Sequence, residues 1–497
     1  MINLSSVLDA TKDGSRISFI DMSGAADRAF TFEELNALVD AVAAGLTHRF
    51  GAMRARIGIL AENSVEYAAL YLGAMRAACV IVPISTKMSA DVVAYVLADA
   101  EIKLLFISQG RNPPAGVQTI VIGSDDWSKF LRGGPFLPAE AQQDEWAQIL
   151  YTSGSTGRPK GVGLSHAGQL WAIEKAASLV EDGRSYRVLV AAPMFHMNAL
   201  FNLKRSLRLG ASLVVLPEFR APQYCRAIEL YRCDWLTCVP AMMGLLARHV
   251  GNHTPPEFKN VRRIFMSSSS FSPQLLETVM TMFPSAAVLN SYGTTEAGPH
   301  VFEGHPQGKP TPTMSCGYPT SSDMVRLVDP DRRPIEGAGE GILEMKTPAI
   351  MRSYLNLPEL TKKYLRDGWY HSRDIMRRDE DGFYYFIGRS DDMFTCGGEN
   401  IYPIEVEQVL EKHPDVEQAV VVSIPDEIKQ NLPVAFIVPR SGSHPAETAL
   451  KSWFIERAPV YMHPRHIAFI EQIPLGPTSK IDRRALAERA RMLAART

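Results

Sequence analysis

Short apolar runs alternate with amphipathic helical segments along most of this chain, and that alternation constrains its fold more than any other feature. Arg16–Asp21 alternates like a strand, Thr31-Phe-Glu-Glu34 fits a capping box, and a helix runs on to about Leu46. Arg56–Leu60, Cys79–Pro83 and Leu104–Ser108 read as strands separated by helical segments Ser64–Ala77 and Ser89–Ala98. Residues 109–145 are rich in Gly, Pro and Asp and read as peripheral. The alternation resumes with Arg187–Ala191, Leu213–Leu216, Trp235–Val239 and Arg263–Met266. Strands joined through helices pair in parallel and carry those helices on the sheet faces. The expected fold class is therefore α/β, with a large N-terminal domain of parallel-rich sheets flanked by helices.

Residues 318–388 have another texture. Val325–Val328, Gly341–Met345, Gly368–Tyr370 and Phe383–Ile387 follow one another closely, with Asp-Pro and Asp-Gly turns between them, which predicts a small β-barrel-like subdomain. A boundary falls at Gly388-Arg-Ser-Asp-Asp-Met393, so that 1–388 and 393–497 form separate domains. The second reads as helix Pro403–Lys412, strands Val416–Ile424 and Val434–Val438, helix Glu447–Arg457, strand Ile467–Ile470 and a basic tail. That is a small C-terminal α+β domain.

A chain of 497 residues exceeds a single core, which stops growing at roughly 250–300 residues. A formal charge of −2 gives no electrostatic case for nucleic acid or an anionic membrane. The N-terminal MINLSSVLDATKDGSR is too polar for a signal peptide, and Tyr67–Ser85 is too interrupted for a membrane span. Six cysteines without paired spacing exclude a disulfide framework and disfavour zinc, so reduced thiols in a cytoplasmic protein are expected.

The richest stretch chemically is Tyr151-Thr-Ser-Gly-Ser-Thr-Gly-Arg-Pro-Lys-Gly-Val162. Strand Ala147–Tyr151 precedes it, and a helix with Ser165 as N-cap is expected behind it. Glycines let backbone N–H groups crowd round an anion, Thr152, Ser153, Ser155 and Thr156 add hydroxyl donors, and Lys160 adds charge. A Gly/Ser/Thr cluster alone also fits a surface loop. The lysine and the flanking elements favour a polyphosphate, as in ATP. Pro159-Lys160-Gly161 stands where a Walker loop needs Gly-Lys-Ser/Thr.

Further motifs follow in order: Ser291-Tyr-Gly-Thr-Thr-Glu296, Trp369-Tyr-His-Ser-Arg-Asp374, Gly388-Arg-Ser-Asp391, Cys396-Gly-Gly-Glu-Asn-Ile-Tyr-Pro-Ile-Glu-Val-Glu407 and Gly476-Pro-Thr-Ser-Lys480. With the loop, these resemble the motifs of the adenylate-forming superfamily of acyl-CoA synthetases, luciferases and peptide-synthetase adenylation domains, most of all its acyl-CoA ligase branch. The resemblance covers nearly the whole chain. It implies activation of a carboxylic acid by ATP as an acyl-adenylate with release of pyrophosphate, then transfer to coenzyme A, with ATP, Mg2+ and CoA as cofactors.

Residue by residue, the resemblance assigns Thr152, Ser153, Gly154, Ser155, Thr156, Gly157 and Lys160 to the phosphates. Ser268, Ser269, Tyr292, Gly293, Thr294 and Thr295 go to the rest of the nucleotide, with Tyr292 stacking on adenine. Glu296 with Thr152 would hold Mg2+, Asp374 the ribose, and Arg389 either the ribose or solvent beside the hinge. Lys480, with Lys160 and Glu296, completes the catalytic set by bridging the acyl carboxylate and the α-phosphate. Without the resemblance, Glu296 and Lys480 would read as solvated charges and Asp374 equally as a turn residue. Residues 389–392 would be a hinge centred on Asp391, making 1–388 the adenylation domain and 393–497 a mobile one. Its swing would bring Gly397, Gly398 and Glu399 to CoA.

The acyl pocket is expected among Phe195, His196, Met197, Met242, Met243, Gly293 and Gly298, with His196 as gate or as a core histidine. An aryl acid or a medium- or long-chain fatty acid suits it. No aspartate follows Phe195, which disfavours an amino acid. Lys204 and Arg208 share one helical face that could meet a second carboxylate, though a solvated face is the simpler reading. Four departures from the family pattern stand out. Ser267-Ser-Ser269 replaces Gly-Gly-Ala and makes the pocket narrower and more polar; Arg373 replaces a small residue; Gln430 and Met462 replace a glycine and a lysine. A separate carrier protein is the rival acceptor, favoured less because no carrier domain follows Lys480, and a silent nucleotide-binding regulator is the rival class. The tail Ala494-Ala-Arg-Thr497 lacks a peroxisomal address. A homodimer stays open as the assembly.

Overall fold

The computed structural model describes residues 2–11, 14–152, 158–251, 255–269, 271–476 and 481–494. The chain opens with β1 (Ile17–Asp21), β2 (Arg28–Thr31), α1 (Phe32–Phe50), β3 (Arg56–Leu60), α2 (Val65–Arg76) and β4 (Val80–Pro83). Then come α3 (Ala90–Asp99), β5 (Leu104–Ile107), β6 (Thr119–Val121) and α4 (Asp125–Phe130). The capping box forms as expected: Thr31 accepts from the Glu34 N–H while Glu34 accepts from the Thr31 N–H. The stretch expected to be peripheral contributes β6 and α4, because Trp127 and Phe130 pack edge-on against Phe106 of β5.

Next follow β7 (Trp146–Thr152), β8 (Lys160–Ser165), α5 (His166–Ser178), β9 (Arg187–Val190), α6 (Met197–Leu209), β10 (Ser212–Val215), β11 (Trp235–Cys238), β12 (Arg263–Ser267) and β13 (Ala287–Ser291). One seven-stranded sheet runs β13-β12-β11-β9-β10-β1-β2, parallel except at β1–β2. The other runs from strand Ser353–Tyr354 through β8, β7, β4, β3 and β5 to β6, with its antiparallel pairs at the β7–β8 end. The largest buried cluster takes side chains from α1, α2, α5, α6 and both sheets.

The region behind Tyr318 builds a five-stranded antiparallel sheet around Trp369–Arg378, which pairs with Gly339–Met345, Leu365–Arg366 and Tyr384–Arg389. Among the described residues its pairings leave it open, an antiparallel sheet where a small barrel was expected. The C-terminal part holds hairpin Phe394–Cys396/Glu399–Ile401, helix Pro403–Glu411 and a three-stranded sheet, Val416–Asp426, Gln430–Pro439 and His466–Phe469. Helix Arg483–Ala494 forms the basic tail. All six cysteines are free and buried. Among the described residues, no helix is long and apolar enough to cross a membrane.

Candidate active site

The parallel strands β9, β11, β12 and β13 end at Val190, Cys238, Ser267 and Ser291, so the segments that follow them gather along one edge. The carboxyl edge of such a sheet is where ligands sit in α/β folds. Phe195 and His196 arrive behind β9, Met242 and Met243 behind β11, Ser268 and Ser269 behind β12, and Tyr292–Gly298 behind β13.

The second sheet adds the β7–β8 hairpin. The sequence suggested a strand, a loop and then a helix, but Lys160 opens a strand that pairs back on β7, with Lys160 opposite Thr152. The helix comes later, where Ser165 caps α5 by accepting from the Gly168 N–H. That helix starts six residues beyond Lys160, and the described residues behind the loop supply two fixed positive charges, exposed Arg158 and buried Lys160. Ser153, Gly154, Ser155, Thr156 and Gly157 lie outside the described residues, as does Lys480.

Lys160 is buried, with Nζ 5.8 Å from the centre of the Tyr354 ring. Burial holds its pKa below the usual lysine range, and the neighbouring Arg373 guanidinium lowers it further. Tyr354 belongs to the strand paired with β8, and its hydroxyl donates to Glu296 Oε1 at 2.9 Å. Lys160, Tyr354 and Glu296 thus form one cluster across 195 residues of sequence. Tyr354 had no sequence signal, because a two-residue strand shows no periodicity. Glu296 is presented by a tight turn in which Thr294 and Gly298 bridge. Gly298 has φ +101°, and a Cβ there would meet the Ala349 Cβ at 2.7 Å. A Cβ on Gly293 would meet Pro299 backbone at 2.8 Å. Both glycines, expected to line the acyl pocket, are required by this turn. Thr294 caps it by accepting from the Ala297 N–H, and Thr295 is half-buried beside it.

A second cluster surrounds Asp374, buried on strand Trp369–Arg378 directly opposite Arg389. Arg389 Nη1 donates to Asp374 Oδ1 at 2.9 Å, and the Tyr292 hydroxyl donates to Oδ2. Burial and the adjacent Asp374 push the Tyr292 hydroxyl well above its ordinary pKa. Tyr292 stands edge-on to Phe302, its hydroxyl tied to the carboxylate expected to hold the ribose. Arg389 also grips Asp391 through Nε and Nη2, and Arg373 Nη1 donates to the same carboxylate at 2.8 Å. The two guanidiniums hold Asp391 below the usual carboxylate range against the opposing effect of its burial.

Phe195 is buried, and His196, half-buried, lies edge-on to it at 4.5 Å between ring centres, immediately before α6. Met197 is half-buried, whereas Met242 and Met243 pack in the second core cluster on helix Pro240–Val250. Lys204 does not lie on a solvated face: it is fully buried, Nζ donating to Gln169 Oε1 at 3.1 Å, and burial lowers its pKa to about 7. Arg208 does reach the surface, where it pairs with Glu174. Gly397 and Gly398, at φ +61° and +88°, form the tip of the C-terminal hairpin, with Glu399 exposed beside them. Among the described residues no hydrogen bond joins that tip to either cluster.

Two family models match the chain: AMP-binding enzyme over residues 8–355, and AMP-binding enzyme C-terminal domain over residues 405–480. The long-chain-fatty-acid–CoA ligase FadD13 of Mycobacterium tuberculosis is 31% identical, covering 93% of each chain. The fatty acid–[acyl-carrier-protein] ligase ScoC of Streptomyces coeruleorubidus is 30% identical over 93% of this chain and 92% of its own. ATP-bound MatB from Rhodopseudomonas palustris has the same fold, with a TM-score of 0.89 at 23% identity over 99% of both chains. An edge that gathers a buried lysine, a glutamate and a carboxylate–tyrosine–arginine cluster fits that kinship, and the chain belongs to the adenylate-forming family of AMP-binding enzymes, in its acyl-CoA ligase branch.

Proposed function

We propose that the described clusters divide the work of an ATP-dependent acid–thiol ligase, an enzyme that activates a carboxylic acid as its acyl-adenylate and passes the acyl group to coenzyme A. The observation that carries this reading is the meeting of Lys160, Tyr354 and Glu296 at the sheet edge. A carboxylate and a phosphate repel one another, so their approach needs fixed positive charge and directed donors. Lys160, buried and without a carboxylate ion pair among the described residues, gains most from the departing pyrophosphate. Asp374 accepts from both Tyr292 and Arg389, which suits a sugar hydroxyl exchanging with either donor.

Mg2+ fits the donor set. Among the described residues no group of three or more His, Cys, Asp or Glu could hold a metal ion, and one carboxylate completed by phosphate and water oxygens is the pattern magnesium favours. Glu296, with Thr152 across from Lys160, would hold it, and it would offset phosphate charge there. The remaining assignments follow from the family: Lys480 bridges acid and α-phosphate, Asp391 is the hinge within 389–392, and Gly397, Gly398 and Glu399 meet the CoA arm. Buried thiols and CoA use support a cytoplasmic setting, and a homodimer is tested by light scattering.

Pyrophosphate release and hydroxamate formation across a broad acid panel, with and without CoA, test the activity; silence with every acid would overturn it. The ScoC relative supports a carrier-protein acceptor as the second reading, separated by offering CoA and a phosphopantetheinylated carrier in parallel. Lys160→Ala is expected to depress acyl-adenylate formation by about 10²-fold or more and to leave thioester formation from supplied acyl-adenylate nearly intact. Lys480→Ala should behave likewise. Equal loss in both half-reactions would contradict the assignment.

A further inference from the structure

Along the inner face of α6, Asn198, Phe201, Asn202 and Arg205 recur at helical spacing opposite β12. Arg205 is buried, its guanidinium 4.3 Å from the Trp235 ring centre and 4.6 Å from that of Phe265. Among the described residues it has no carboxylate partner. Its Nη2 donates to Asn202 Oδ1 at 2.6 Å, Asn202 Nδ2 donates to Asn198 Oδ1 at 3.0 Å, and Asn198 Nδ2 donates to Ser267 Oγ at 2.5 Å. Arginine can only donate, so it fixes the orientation of both amides. Every donor in the ladder therefore points from the buried cation toward the carboxyl edge of the sheet. The Ser267 and Ser268 hydroxyl protons have no acceptor among the described residues.

Ser267 lies opposite Ser291, the residue before Tyr292, so the ladder ends one strand from the turn that carries Glu296. The space between α6 and β12 is occupied by the ladder and by the stacked Trp235 and Phe265 rings, so a long alkyl chain could not lie there without displacing them. Burial lowers the Arg205 pKa to about 9, which leaves it charged at neutral pH. A chain of aligned donors behind a charge strengthens each bond along it, and an end donor without an acceptor is costly when dry.

We infer that the acid this enzyme activates is compact and carries an oxygen substituent (a hydroxyl, carbonyl or second carboxylate) that accepts from Ser267 and Ser268, and is not an unsubstituted fatty chain. This rests on the acid–thiol ligase reading and narrows it. Asn198, Asn202 and Arg205 are positioning residues for the serine donors.

The test is a panel of matched pairs with ATP and CoA: benzoate against the three hydroxybenzoates and three benzenedicarboxylates, and butyrate and octanoate against 3-hydroxybutyrate and succinate. The best oxygenated acid should exceed its unsubstituted partner at least about 100-fold in kcat/KM, as sites built to hydrogen-bond a substrate discriminate. Asn198→Leu should collapse that ratio toward 1, chiefly by lowering kcat/KM for the oxygenated acid. Ser267→Ala, a smaller change, should lower the ratio in the same direction if the leucine variant fails to fold. Octanoate or benzoate used as well as any oxygenated acid would overturn the inference while sparing the ligase reading. No pyrophosphate release with any acid would overturn both.

Discussion

Ser268, Arg373 and Gln430 hold left-handed backbone at φ +75°, +68° and +68°, a conformation glycine adopts without strain. At each, a Cβ costs roughly 1–2 kcal/mol, and strain of that kind collects where a side chain has a task. Ser268 sits on the donor rim, and Arg373 holds Asp391. Gln430 is exposed at the turn between two C-terminal strands. Gln430→Gly is therefore expected to stabilise the protein by up to about 1 kcal/mol, after the extra freedom glycine gives the unfolded chain. A denaturation midpoint below that of the parent would contradict it. Glu344 makes a second case. Its carboxylate is fully buried; burial alone would raise its pKa, but bonds from His371, Arg326 and Arg332 prevail and bring it down to about 2. A depressed carboxylate contributes stability above its unfolded pKa, and that contribution is lost as pH falls through the folded value. The window runs from 4.5 down to about 2, and the contribution is of the order of 3 kcal/mol. Glu344→Gln should destabilise at neutral pH and flatten the stability–pH curve across that window, measured by urea unfolding.

At the scale of elements, strands and helices that bury one face were legible from periodicity, since Thr31, Ser64 and Ser165 cap helices at the expected starts. The β8 strand was not. Its Lys-Gly-Val-Gly pattern carries the signature of a loop, and it becomes a strand through partners on both sides, β7 and the distant Ser353–Tyr354. The same long-range pairing places Tyr354 beside Lys160, so one of the three members of that cluster was invisible locally. The motif residues Glu296, Asp374 and Arg389 were legible, whereas the ladder behind Ser267 depends on which helical face α6 buries. In β8 the glycine is a matter of space. A Cβ at position 163 would meet the Trp146 ring at 2.7 Å. Gly163→Val should then displace the ring or the strand and destabilise by about 1–3 kcal/mol, with adenylation falling in step because Lys160 rides on the same strand. An unchanged melting temperature would show that the Trp146 ring yields freely.

At the scale of the whole molecule, ion pairs fasten both the C-terminal part and the segment that leads into it to the larger part. Arg248 of helix Pro240–Val250 pairs with Glu417, and Asp391 is clasped by Arg389 and Arg373. Arg373 and Arg389 belong to the adjoining strands Trp369–Arg378 and Tyr384–Arg389, and the Ser390 N–H also donates to the Arg373 carbonyl. The proposed hinge is thus tied to the strand pair that carries Asp374. A swing of the C-terminal part about Asp391 must turn that residue's backbone and slide its carboxylate off at least one guanidinium. Proline at 391 removes the carboxylate and fixes φ near −65°. Asp391→Pro is expected to keep acyl-adenylate formation within a few-fold of the parent and to slow thioester formation by about 10-fold or more. Arg373→Gly separates the two causes, because it removes one ion pair and the left-handed strain while leaving the hinge backbone free. If backbone rotation sets the second step, this variant should match or exceed the parent in thioester formation. If it slowed that step as much as proline does, the clasp on Asp391, and not the freedom of its φ, would be what the transfer pose requires.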